Sequence, residues 1–513
     1  LDDGCYKSER VSGKLSNEEI KFPGGFKELS DYIHSKGLKY GMYNDIGTNL
    51  CAGAKVGTCG FEDIDARSYI DWNVDFLKVD NCYYPFDNAT FSSAENAGFV
   101  YTPCIRAVKI GNRIINAVSE GLIIGDLAKT TGDYVSFIGT IDGTGPEASP
   151  VGIRSSELVF EYCSEAETTF DFSFEYLAGR EEGIGFWLQI AVGDDIVYDS
   201  PVSENGLDSS FHWSDVISLQ LKEGVNKIRL MNHRRQENVL NSYARLLKEL
   251  KKIAPDRDIY YSACEWGKTQ PQNWAYKVCD SWRILNDITF RVGSDGDNGH
   301  GDWISDYTAG VTSQYNKCVI MDEFAGLGRG WNDPDLLMIG MAGLNLTQCK
   351  THMAMWCMMN SPLMLSLDLR RVEKGDDIYK IIANKMLIAI NQDDLGIQAK
   401  RVYSSLAKDE PAKEYIRDTD RVDILAKPMI DDQIAISFIN VSDSDKDGKY
   451  SISFEKIKEI YANSGLEPPY IRNKYIATDV YTGEQVMVSN GEIQIDGLFA
   501  CDNKTFILRP YEE

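Results

Sequence analysis

From Phe26 to beyond Leu250, short apolar runs ending in polar residues recur with helical stretches between them, the alternation expected of a parallel β/α fold. Phe26, Leu29 and Ile33 repeat at helical spacing and stop at Gly37, a residue suited to a left-handed cap, after which Leu38–Asp45 reads as a strand. Phe76–Asn81, Ile259–Trp266, Trp282–Ile288, Trp331–Leu336 and Pro362–Asp368 read as further strands. Several carry a carboxylate, lysine or tryptophan at their C-terminal ends, as happens when a β/α barrel collects a site on one face. Polar capping of a sheet edge is the simpler reading of any single one.

The spacing fails between Asn81 and Ile259, where roughly 175 residues stand in place of one helix, so the chain carries an insertion. Within it Leu158–Tyr162, Phe170–Tyr176, Gly185–Val192, Asp195–Tyr198, Val216–Leu221 and Asn226–Met231 are strand-like, with Gly- and Asp-rich turns between them, the pattern of a β-sandwich. Helical spacing resumes at Leu240, Tyr243, Leu247 and Leu250. After Asn391 short strands dominate again (Asp423–Lys427, Gln433–Asn440, Lys449–Phe454, Tyr475–Tyr481, Glu492–Ile495, Thr505–Leu508) with almost no helix. The expected organisation is a barrel in two parts, residues 1–95 and 237–395, an inserted β-sandwich over 96–236 and a C-terminal antiparallel β-sandwich over 396–513.

Composition narrows the function classes. With 513 residues and 43% hydrophobic content the chain exceeds what one core accommodates. A formal charge of −25 repels nucleic acid phosphates and anionic lipid surfaces and is compatible with a neutral ligand such as a sugar. No run of about 18 uncharged apolar residues occurs, so no membrane span is expected. The 12 cysteines form no C-x-x-C pair and the five histidines are scattered away from them, so neither a metal nor a cofactor is expected. The first residues lack the pattern of a signal peptide.

Leu77-Lys78-Val79-Asp80-Asn81-Cys82 places a carboxylate at a strand terminus, with Lys78 two residues earlier on the same face, where its cation favours the ionised carboxylate. Ser281-Trp282-Arg283-Ile284-Leu285-Asn286-Asp287-Ile288 offers a second carboxylate. Composition alone cannot choose these two from 78 acidic residues. The ordered strings Gly37–Tyr43, Cys51-Ala52-Gly53, Lys78–Cys82, Cys264-Glu265-Trp266-Gly267, Ser281-Trp282-Arg283 with Asp287, and Trp331-Asn332-Asp333-Pro334-Asp335 choose them, because together they resemble the signature of glycoside hydrolase family 27, the α-galactosidase or melibiase type. The resemblance covers Leu1 to about Asn81 and Asn238 to about Gln398.

That resemblance implies a (β/α)8 TIM barrel and a retaining α-glycosidase, in which Asp80 attacks the anomeric carbon while Asp287 protonates the departing oxygen and then activates water. It implies that Arg283 and Glu265 contact a 2-hydroxyl, Lys78 the 3- and 4-hydroxyls, and Asp2 and Asp3 the 4- and 6-hydroxyls. Asp335, Tyr43 and Cys82 line the same subsite and Trp266 supplies an apolar wall. A structural salt bridge for Arg283, core packing for Trp266 and a turn role for Asp335 are the alternatives, and the Met353–Met359 stretch reads as core. Glu265, bulky and acidic, favours galactose over N-acetylgalactosamine, and the Asp2-Asp3 pair favours a sugar with a 6-hydroxyl over a pentopyranose.

Further expectations follow from the resemblance. Cys51 with Cys82 and Cys264 with Cys279 match positions bridged in family members, and oxidised bridges point outside the cytoplasm. The family's first barrel strand is missing, so seven of eight strands are expected. The insertion, with Trp187, Trp213 and Tyr198 as candidate sugar platforms, is similar in strand pattern to carbohydrate-binding modules. The expected partner is a galactosyl oligosaccharide or polysaccharide, with a homo-oligomer left open. The alternatives are an α-N-acetylgalactosaminidase or β-L-arabinopyranosidase of the same family, or a sugar-binding protein without turnover.

Overall fold

The computed structural model describes all residues except 84–101, 126–127, 137, 140–155, 179–185, 203–209, 233, 289–299, 306–308, 464–470, 473 and 512–513. The chain forms two compact units, one comprising Leu1–Gly143 and Gly152–Gln270, the other Thr144–Val151 and Pro271–Glu513.

In the first unit the strands Gly41–Asp45 and Tyr260–Cys264 flank Phe76–Asp80, all parallel and in register, so that Asp45, Asp80 and Cys264 lie side by side at one end. All three residues are buried there. The helices Glu62–Asp71 and Arg234–Ile253 lie on the two crossovers this parallel pairing requires, and the helix Gly25–Ser35 precedes the first strand. Phe26 anchors the first of these helices by packing its ring 4.9 Å from Trp72 and 5.4 Å from Tyr6. That helix stops before Gly37, whose φ of 74° is the left-handed conformation the sequence predicts.

The same unit contains the inserted sandwich. One sheet runs 195–202, 186–192, 224–231, 156–164, 122–125; the other runs 212–213, 168–177, 104–110, 134–136, 129–131, with 217–221 and 113–116 paired to its inner strands. Ile105, Val108, Phe172 and Phe174 from one sheet and Phe160, Leu188, Ile190 and Ile228 from the other share a single buried core. Each such side chain stabilises the fold by about 1.5–3 kcal/mol on burial. All six strands read in the insertion are present. The strands at 104–110, 113–116, 122–125, 129–131 and 134–136 are additional, and three of them are mostly exposed and carry no clear alternation of apolar residues.

In the second unit Ser281–Arg283 and Trp331–Asp333 pair in parallel. Both are shorter than their sequences suggest. Asp335 adopts φ 74° and its Oδ2 accepts from the Ile288 amide (2.7 Å), so a side chain replaces the ladder carbonyl where the strands were expected to continue. Pro362–Asp368, expected as a strand, contributes only a bridge from Leu365 to Leu337, and Met364 and Leu365 remain exposed. Among the described residues the parallel strands thus number three in the first unit and two in the second, fewer than the expected seven. The Met353–Met359 stretch is core, as expected, within and just after the helix Leu346–Met358, which starts at an Asn345 capping box.

The C-terminal part of this unit is an antiparallel sheet ordered 400–404, 422–428, 434–440, 503–510, 475–479, 485–488, beside a second pair, 446–453 with 492–498. It also contains a helix, Phe454–Asn463, which corrects the near absence of helix read from the sequence; Phe454, Ile457 and Tyr461 give it a buried stripe at helical spacing. Asp423, fully buried, sits between Arg421 (3.0 Å) and Arg401 (3.7 Å) and accepts from the Tyr315 hydroxyl (3.0 Å), tying the helix Val311–Cys318 to this sheet.

Candidate functional site

The nucleophile candidate Asp80 closes its strand with 5% of its surface exposed. Its Oδ2 accepts from the Tyr43 hydroxyl (3.2 Å) and its Oδ1 from the Asn81 amide (2.9 Å). Burial, and then the Asp80 charge, push the Tyr43 phenol far above its usual range, so it remains a donor to the carboxylate. Lys78, one pleat back, reaches Asp2 (3.1 Å) and lies 5.4 Å from the centroid of the Tyr43 ring. Asp3 accepts from the Ala52 amide (2.8 Å), which ties the Asp2-Asp3 segment to the Cys51 loop.

The Cys51–Cys82 disulfide is formed, with Cα atoms 5.1 Å apart, and joins the loops that follow two adjacent strands. The second expected bridge is not. Cys279 carries a free, buried thiol, pushed well above its usual range by burial and then by the neighbouring Asp280 charge.

Glu265 is fully buried and is held from the Thr269 amide (2.9 and 3.1 Å to its two oxygens), from the Thr269 hydroxyl (2.9 Å) and from Asn81 Nδ2 (3.4 Å). Its carboxylate therefore stands next to the residue that follows Asp80. Trp266 adopts φ 59°, and Gly267 and Gln270 in the same loop are also left-handed, at 72° and 57°. Strained backbone of this kind persists where surrounding contacts over-determine it. The Trp266 Nε1–H, buried, makes no hydrogen bond among the described residues, a donor that a bound hydroxyl can satisfy.

Two residues here escaped the sequence reading. Asp45, the register partner of Asp80, is fully buried; its oxygens accept from the Gly47 amide (2.6 Å) and the Cys82 amide (2.8 Å), pinning the bridge-bearing loop. A Cβ on Gly47 would come within 2.1 Å of the Cys82 carbonyl oxygen, so only glycine permits this approach. Burial, and then the Asp80 charge, push the Asp45 carboxyl well above the usual carboxylate range. The other is Lys268, buried at 3% exposure, with Nζ 3.4 Å from the Asn81 carbonyl and 4.5 Å from the centroid of the Trp266 ring. The signal for Asp45 was its place at the end of a strand; for Lys268 there was none. Carboxylate oxygens of Asp45 and Asp80 and the Cys51 and Cys82 sulfurs lie within 4.8 Å of one another, but the disulfide removes both thiolates, leaving two carboxylates as potential metal ligands.

The remaining predicted residues form a group within the second unit. Arg283, at 3% side-chain exposure, reaches Asp335 Oδ2 (2.7 Å) and Asp287 Oδ1 (3.1 Å) from one nitrogen. Asp335 is pinned further by the Ile288 amide (2.7 Å), and its own amide donates to Asp333 Oδ1 (2.8 Å). Trp282 is held by Asn332 (3.1 Å), fixing the strand that carries Arg283. Asp287 keeps 68% of its side chain exposed. The Arg283 guanidinium thus orders two carboxylates, one buried and one open to solvent.

Of the proposed platforms in the sandwich, Trp187 is buried with its indole N–H on Asp199, and Tyr198 packs on the core. Trp213 alone of the three is exposed.

Comparison with known proteins gives the following. The family model described as Alpha galactosidase A matches residues 1–108 and 221–393, more than half of the chain. The "Alpha-galactosidase" of Cyamopsis tetragonoloba is 24% identical over 445 residues, covering 86% of this chain and 63% of its own length. "Alpha-galactosidase 3" of Arabidopsis thaliana is 35% identical over 405 residues, covering 79% of this chain and 53% of its own length. The chain thus spans less than two thirds of these curated relatives. A solved structure of the Saccharomyces cerevisiae α-galactosidase with raffinose superposes with a TM-score of 0.58 at 18% identity, covering 100% of this chain and 88% of that one.

Proposed function

Because the chain belongs to the alpha galactosidase A family, we propose that it is a retaining exo-glycosidase that removes terminal α-D-galactosyl residues from oligosaccharides, polysaccharides or glycoconjugates. In this reading the chain has the (β/α)8 barrel of its family, with the site at the strand ends. The observation that carries it is the pair of differently treated carboxylates, Asp80 buried and hydrogen-bonded on a strand end and Asp287 exposed on an arginine anchor.

Asp80 attacks the anomeric carbon as Asp287 gives its proton to the leaving oxygen, which breaks the glycosidic bond and forms a glycosyl ester on Asp80. Asp287, now a carboxylate, takes a proton from water; the hydroxide oxygen displaces Asp80 and the anomeric configuration is kept. The two carboxyl groups stand about 5–5.5 Å apart in this mechanism. Tyr43 and the Asn81 amide favour the ionised nucleophile, and Lys78, Asp2 and Asp3 receive the hydroxyls at the far side of the ring. Glu265, fixed by Thr269 and Asn81, leaves room for a 2-hydroxyl and supports galactose over its 2-acetamido analogue. Raffinose, bound by the yeast relative, is a reasonable small substrate. No helix among the described residues is long and apolar enough to cross a membrane, and no metal or cofactor enters the proposed reaction.

The test is hydrolysis of matched aryl α-galactoside, α-N-acetylgalactosaminide and β-L-arabinopyranoside substrates. Turnover of the galactoside far above the other two is expected. Preference for either of the others would refute the role given to Glu265 or to Asp2 and Asp3, and no turnover of any would leave a sugar-binding protein.

A further inference from the structure

The inserted sandwich carries a feature that the catalytic reading does not use. On the strand Thr168–Leu177, Glu175 alternates with the buried Phe174 and Tyr176 and so points away from the core. Trp213 is its register partner on the next strand and shares that outer face, 40% exposed. On the other side the ladder shifts between Ile105 and Ala107, and the displaced residue is Arg106. A bulge re-aims a side chain in this way. The Arg106 Nε donates to Glu175 (3.0 Å), and its Nη2 to the same carboxylate. The Arg106 guanidinium lies 4.6 Å from the centroid of Phe211, and Tyr134 is 5.4 Å from the same ring. Asp133, 3.7 Å from Arg106, keeps 72% of its side chain in solvent. The exposed Trp213, the half-buried Phe211 and Tyr134 and a fixed, partly covered arginine–carboxylate pair thus lie together on this sheet.

We propose that this group is a second carbohydrate-binding site, separate from the Asp80 strand end, for a neutral polysaccharide. The inference rests on the reading that the chain acts on sugars. A pyranose has an apolar C–H face and a rim of hydroxyls; aromatic faces with an amphipathic edge bind the first and a fixed guanidinium–carboxylate pair supplies donors and acceptors for the second. A polyanion meets Glu175, Asp133 and a chain of net charge −25.

The experiment is native affinity electrophoresis of the full chain, in the Asp80→Asn background so that polymer is not trimmed, through gels containing galactomannan, xyloglucan or galactan. At least one polymer retards the chain, Trp213→Ala weakens the apparent Kd by about tenfold or more, and Trp213→Tyr restores it. Equal melting temperatures of the three proteins separate lost binding from lost folding. Equal retardation of Trp213→Ala and its parent, or no retardation by any of the polymers, overturns the site. A dimer that Trp213→Ala disperses assigns the face to a second copy and overturns it as well. Failure to hydrolyse aryl galactosides, which would sink the hydrolase reading, leaves this measurement unaffected.

Discussion

Asp80 and Asp287 are the same residue type in opposite surroundings. Asp80 is buried, receives two hydrogen bonds and faces a second buried carboxyl, Asp45, across the ladder. Asp287 is 68% exposed and is anchored by a guanidinium that it shares with Asp335. The difference matches the roles proposed for the two residues. A nucleophile has to be ionised and held within a few tenths of an ångström of its target, which favours burial with donors in place. A general acid and base must exchange its proton with water in every cycle, which favours exposure with orientation from one side.

Substitutions should expose that asymmetry. Asp80→Asn removes the covalent step and should lower kcat/KM for an aryl α-galactoside by about 10⁴-fold or more, with little change in melting temperature. Residual activity within a factor of ten of the parent would refute its role. Asp287→Ala should cost about 10²–10⁴-fold, least for aryl leaving groups of low pKa, because these depart without protonation. A loss independent of the leaving group would mean that Asp287 is not the acid. Asp45→Ala leaves the Gly47 and Cys82 amides without their acceptor and should lower kcat/KM about 10- to 100-fold; unchanged kinetics would reduce Asp45 to a bystander.

The smallest effect concerns pH and the second unit. Burial pushes His352 down to about 3, so the folded protein holds it neutral, with Nε2 accepting from the Met338 amide (3.1 Å). The unfolded chain takes up that proton below about 6.5, the folded one only near 3. Stability present above the unfolded pKa is therefore lost as pH falls from about 6.5 toward 3, by up to about 1.4 kcal/mol per pH unit. Urea midpoints between pH 7 and pH 5 should drop more steeply for the parent than for His352→Gln, and parallel slopes would contradict the assignment.

The legible parts of the molecule are those where a period and a motif coincide. Gly41–Asp45, Phe76–Asp80 and Tyr260–Cys264 could be read because apolar runs buried in a parallel sheet end on residues of a recognisable string. The second-unit strands were overread, since Asp335 in its left-handed conformation ends the ladder, and a positive φ at aspartate leaves no periodic trace. The helix Phe454–Asn463 was missed because it follows a strand without a break. Asp45 went unnoticed for another reason: its importance comes from register with Asp80, which depends on pairing between strands rather than on local sequence.

The most direct test of the account is to trap the glycosyl-enzyme with a fluorinated galactosyl fluoride whose hydrolysis stalls after the first step, and to locate the label by peptide mass spectrometry. One fluorogalactosyl adduct is expected on the peptide containing Asp80, with none on Asp80→Asn. A label on Asp45, Glu265 or any other carboxylate, or product formed with inverted anomeric configuration and no adduct, would contradict it.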